Sequence, residues 1–197
     1  MKHLLVTAVV GVTLLAAGAA AAQCREADAA MLALPLHEFD QTEQGWRSLD
    51  AEGCEAVGAE AIARYREVNL EALAGEDLGT LIWHEGQLRA AAGQTDAAIA
   101  LMLEAREGES DAIHPYIDAT VAFLRRDQEA LRSARERLLA LPVPDYFAAA
   151  AERYRVNYPD HPPLSWPLNL DKVDGFVACF DRPYRDAYNC DAQGNVQ

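Results

Sequence analysis

Between Glu38 and Pro159 no stretch alternates apolar and polar residues as a half-buried strand must. Alanine, leucine, glutamate, arginine and glutamine dominate instead, and all of them favour the helix. Breakers interrupt the run at Gly53, Gly58, Gly75, Gly79, Gly93, Gly108, Pro142 and Pro144. A chain so patterned folds as short antiparallel helices joined by tight turns. The spacing predicts helices over 42–52, 59–73, 78–92, 96–106, 112–126, 128–141 and 146–156. Asp111 and Asp145 read as N-caps, and Gly93 and Gly108 as helix stops. Ile113, Tyr116, Ile117, Thr120 and Leu124 form one apolar stripe at helical spacing, and Leu131, Ala134, Leu138 and Leu141 a second.

The flanks differ in texture. Residues 1–22 run from Met1-Lys2-His3 through an apolar stretch to Ala19–Ala22, the order of a secretory signal peptide. Cleavage before Gln23 is the expectation, ahead of an uncleaved anchor or a lipidated Cys24, and it places the protein in the periplasm or outside the cell. The apolar run is shorter than the roughly 20 residues a membrane span needs, so no membrane association is expected after cleavage. Residues 23–159 then form the helical domain and 160–197 a cap packed on it. The cap combines an extended stretch over 161–167 with short helices over 173–180 and 182–188. Its Trp166, Phe176, Phe180 and Tyr184 cover an apolar end that open stacks leave exposed.

All four cysteines, Cys24, Cys54, Cys179 and Cys190, follow that leader. An even count in an exported chain points to two disulfides, with three pairings open. Proximity along the chain favours Cys24–Cys54 and Cys179–Cys190. Each loop closure contributes roughly 3 kcal/mol in the chain-entropy model. No CxxC or paired-histidine spacing supports a metal or redox site, and no cofactor is expected.

Gly86, Gly93, Ala98, Ile99 and Ala105 fall at the offsets of small and apolar positions in a tetratricopeptide repeat. Residues 81–106 therefore resemble one unit of that family, and 113–141 a degenerate second, with Ala130-Leu131 displaced 32 residues from Ala98-Ile99. Gly45, Gly53 and Gly58 echo the spacing in a looser first unit. Glu85 and Arg89 stand where the repeat has large apolar residues. The resemblance implies an all-α fold of three stacked helical hairpins with a groove along one side, and the layout also resembles that of exported bacterial proteins.

With 31 acidic and 17 basic side chains the net charge is −14, which argues against a nucleic-acid partner. His84-Glu85 begins the zinc-protease pattern HExxH, but position 88 is Leu and the second ligand is missing. Glu85 falls amid Leu78, Leu81, Leu88 and Ala92 on a helical wheel, where a carboxylate needs a counter-charge. Arg89, four residues on, is placed to supply it, and an internal ion pair is the favoured role for Glu85. Trp83 and Gln87 project toward the expected groove, and Arg125 and Arg126 belong to a basic cluster with Arg132, Arg135 and Arg137. These four, Trp83, Gln87, Arg125 and Arg126, are the candidate partner-binding residues. The sequence is read as a non-catalytic module binding a protein or peptide. An enzyme using Glu85 and His84, or an accessory structural subunit, is the alternative.

Overall fold

The computed structural model describes residues 24–73 and 76–197. The expected leader lies outside them. The described residues form ten α-helices and a 3-10 turn, with no strand beyond an isolated bridge between Cys190 and Val196. Two short helices, α1 (Ala29–Leu32) and α2 (Leu36–Gln41), precede the 3-10 turn Trp46–Leu49. Then come α3 (Glu55–Val68), α4 (Glu76–Ala91), α5 (Thr95–Gly108), α6 (His114–Leu124) and α7 (Gln128–Leu139). The chain closes with α8 (Phe147–Asn157), α9 (Leu170–Ala178) and α10 (Tyr184–Tyr188). No described helix is long and apolar enough to cross a membrane.

Helices α3 to α7 pack in chain order, each against the next. The α4–α5 contact is close because Gly86 has no side chain. A Cβ there would sit 3.1 Å from Met102 Cγ and 3.5 Å from the Ala98 carbonyl oxygen. Gly93, at φ +75°, turns the chain between the two helices. Asp127 caps α7 by accepting from the Ala130 N–H at 2.9 Å. The all-helical expectation therefore holds, as do the disulfides Cys24–Cys54 and Cys179–Cys190. Both bridges suit an oxidising setting, extracellular or periplasmic.

Three local expectations are corrected. The helix expected over 42–52 is absent. Thr42 donates back to the Glu38 carbonyl at 2.7 Å and closes α2, and Gly45 lies so near the Phe39 backbone that any Cβ would overlap it. Only the 3-10 turn follows, so the first expected hairpin is replaced by α1, α2 and the turn packed beside α3. Asp111 does not cap α6. Pro115, which has no N–H to leave unpaired, fits the first turn and sets the start at His114 behind Ile113. Asp145 does not cap α8 either, because the turn there is made by the Phe147 N–H donating to the Pro144 carbonyl at 2.9 Å.

Two hydrophobic clusters share α4. The first contains Phe39, Trp46, Ile62, Tyr65, Leu81 and Leu88. The second contains Met102, Tyr116, Phe123, Leu131, Phe176 and Tyr184, with Ala90 of α4 at its edge. Helix α9 lies against α6 and α7, and α10 against α4. The chain's own C-terminal helices thus occupy much of the side where an open groove was expected. By contrast α8 buries no residue; its Phe147 meets Trp166 edge-on at 5.3 Å.

Candidate functional site

Along α4, Leu81 and Leu88 belong to the first cluster and Ala90 to the second, while His84, Gln87 and Ala91 run along the seam. A cleft of about 270 Å³ opens there, walled by the 3-10 turn on one side and α10 on the other. Trp46, Leu88 and Ala91 supply its apolar surface. Arg47, Asp50, His84, Gln87, Arg185, Tyr188 and Asn189 supply its polar groups, and Tyr184 completes the wall.

Behind the cleft lies Asp40, only 3% exposed although charged. Its Oδ1 lies 2.8 Å from His84 Nδ1 and accepts from Trp46 Nε1 at 2.8 Å, while Oδ2 accepts from Gln41. Burial pushes the Asp40 carboxyl upward. The bond and charge of His84, with the bonds from Trp46 and Gln41, outweigh burial and hold it below its ordinary value. With Nδ1 directed at the carboxylate, the imidazole presents Nε2, which has no partner among the described residues and is not sealed from solvent.

Arg47 is fixed in two ways. Its Nε donates to the Asp40 carbonyl at 2.6 Å, and its guanidinium lies over the Trp46 ring, 4.5 Å from the centroid. Its Nη atoms make no hydrogen bond or ion pair among the described residues. Across the cleft, Arg185 is committed: Nη2 reaches Asp50 at 3.0 Å and Nη1 bonds Glu55. Burial raises the Asp50 carboxyl, with Glu55 adding to that and Arg185 and Arg47 opposing it. Tyr184, 6% exposed, has its hydroxyl sealed from solvent without a hydrogen bond of good geometry, and Gln87 lies close enough to oppose the rise that burial gives the phenol.

Glu85 is sealed rather than set in the cleft. It is 3% exposed, and its carboxylate meets Arg89 at 2.7 Å and Arg66 at 2.5 Å. Arg89 Nη1 also donates to Gln94 at 2.9 Å. The Arg66 contact had no signal in the sequence, since it comes from a different helix 19 residues away. Trp83 is half-buried, its ring 5.2 Å from that of Tyr116, and lines a separate cavity of about 200 Å³. Gln87 does reach the cleft. Arg125 is exposed. Arg126 is not available to a partner in the way expected: at φ +58° it turns α6 into α7, and its guanidinium bonds the Phe180 and Arg182 carbonyls. Arg135 and Arg137 are likewise occupied, with Asp174 at 2.5 Å and Asp118 at 3.0 Å.

The site thus gathers Asp40, Trp46, Arg47, Tyr184 and Arg185, none of which the sequence singles out for binding. They lie up to 145 positions apart and meet only because α10 folds back on α4. Among the described residues no group of three or more His, Cys, Asp or Glu is placed to hold a metal ion. Among the described residues, fold and site define an all-helical, disulfide-linked protein with a polar seam along α4. Comparison with known proteins finds no matching family, no matching curated protein and no matching solved structure.

Proposed function

We propose that this protein is an exported, non-catalytic binding module whose ligand enters the cleft between the 3-10 turn, α4 and α10. The observation that carries this is a pair of held but unused polar groups at one concave place: the Arg47 Nη atoms and His84 Nε2. Groups fixed before a ligand arrives reduce the ordering entropy of binding. Packing of α3 to α7 in chain order supports kinship with helical-hairpin repeats. The recognised partner is a small molecule or the end of a peptide, because the cleft is smaller than the roughly 300–1,000 Å³ of drug-sized sites.

The paired Asp40 and His84 also favour a second reading, an enzyme with His84 as general base. Binding is preferred because no Ser, Thr or Cys lines the cleft and Glu85, the other candidate, is closed in by two arginines. The test is a ligand screen read by the His84 imidazole resonances. Binders that shift those resonances and come off chemically unchanged support the module. Turnover that disappears in His84→Gln would replace it with the enzyme.

A further inference from the structure

We infer that the ligand of this cleft carries a carboxylate, gripped by the free edge of Arg47 and flanked by His84 Nε2. The inference rests on the cleft being the ligand site, and it starts from charge. Arg185 is matched by Asp50 and Glu55, and His84 faces Asp40. Arg47 has no acid within 4 Å among the described residues. Arg47 is therefore the guanidinium without a direct ion pair at this site, since Asp50, on which it acts from further away, is bonded to Arg185, and its planar fork matches a carboxylate through two parallel N–H donors.

Geometry narrows the choice of anion. Arg47 Nε is already used on the Asp40 carbonyl and the guanidinium plane is set over Trp46, so the Nη atoms offer the unused donors. The acids behind the site, Asp40, Asp50 and Glu55, disfavour a doubly charged phosphate more than a singly charged carboxylate. Trp46, Leu88 and Ala91 give the organic body of the ligand an apolar wall. Carboxylates of this kind come from small organic acids or from the free C-terminus of a peptide.

The experiment is a titration of the full folded chain, followed by the His84 imidazole signals. Four probes separate the outcomes: 3-phenylpropanoate, its amide, acetyl-Ala-Phe as the free acid, and the same peptide as its C-terminal amide. At least one acid should bind at least tenfold more tightly than its amide, and Arg47→Lys should remove that preference. The small acid binding alone identifies a free organic acid, and the peptide acid binding alone identifies a chain terminus. Arg47→Gln, which deletes the charge and keeps a polar side chain, should abolish the same preference even if Arg47→Lys does not fold. Amides that bind as well as acids, or inorganic phosphate that binds better, would overturn the carboxylate and leave the cleft as a binding site. No response to any probe at millimolar concentration would overturn both.

Discussion

His84 Nδ1 and Asp40 Oδ1 lie 2.8 Å apart although 44 residues separate them in the chain, and this pair fastens α2 to α4. A carboxylate held below its ordinary value stabilises the fold above the unfolded-state value of 3.8. The unfolded chain takes up the proton first as pH falls, so the contribution is lost as pH drops through the lower folded value. Melting temperatures followed from pH 7 to pH 3 should therefore fall less steeply in Asp40→Asn than in the parent. At neutral pH the variant should already be less stable, by about 2–4 kcal/mol, because a buried charged hydrogen-bond network is broken. Parallel acid slopes would show that Asp40 is not the group responsible.

Glu85 offers a test of a buried charge with two partners. Removing the carboxylate leaves Arg66 and Arg89 facing each other within the packed α3–α4 contact. Glu85→Ala should lower stability by about 3–5 kcal/mol, the usual range when one side of a buried pair is deleted. Glu85→Leu combined with Arg66→Leu and Arg89→Leu should recover most of that loss, since packed apolar groups need no counter-charge. Urea unfolding of the two variants measures both effects. An unchanged midpoint in Glu85→Ala would mean that the ion pairs contribute nothing to stability.

Whatever depends on local pattern was legible in the sequence. Helices α4 to α8 follow from composition and breakers, the disulfides from proximity, and the Glu85–Arg89 pair from one helical turn, whereas α3 takes the supposed breaker Gly58 inside it and runs 55–68 rather than 59–73. What depends on long-range closure was not. Trp46 lies in a segment whose composition reads as helix, yet its indole is drawn inward to a buried carboxylate six residues earlier. Tyr184 and Arg185 belong to what reads as a cap, and only the return of α10 to α4 makes them part of a site. His84 carries a motif for which the chemistry is absent, while its actual partner, Asp40, stands in no motif at all.

Tyr184 is predicted to lower the stability of the fold through its hydroxyl. Its unpaired hydroxyl makes the free protein less stable than a phenyl ring in the same place, so Tyr184→Phe should gain about 1 kcal/mol in thermal unfolding. Burial also raises this phenol, and that of Tyr116, well above the ordinary value of 10.0. Both stay protonated in the fold while the unfolded chain ionises, so stability is intact below about pH 10 and declines above it. Phenolate absorbance should accordingly rise together with loss of helix in the parent, and Tyr184→Phe should delay both. A Tyr184→Phe protein that melts lower than the parent would show that the hydroxyl has a partner after all.

Arg185 decides whether the cleft keeps its far wall. It ties α10 to Glu55 at the start of α3 and to Asp50 after the 3-10 turn, across 130 and 135 positions of sequence. Burial pushes the Glu55 carboxyl up, but backbone N–H groups and Arg185 hold it below its ordinary value. Arg185→Met deletes the guanidinium and keeps the length of the stem. Glu55 is then left buried without its cation, and Asp50 retains burial and the repulsion of Glu55 with only Arg47 opposing them. Two results are expected: amide exchange in α10 should accelerate at least tenfold relative to α3, and the Asp50 side-chain resonance should titrate at higher pH than in the parent. The disulfide Cys179–Cys190 should limit the opening to α10 and its flanks, since it anchors the segment on both sides of that helix. Unchanged exchange in α10 would mean that ring contacts of Tyr184 with Phe176 and Phe123 hold the wall alone.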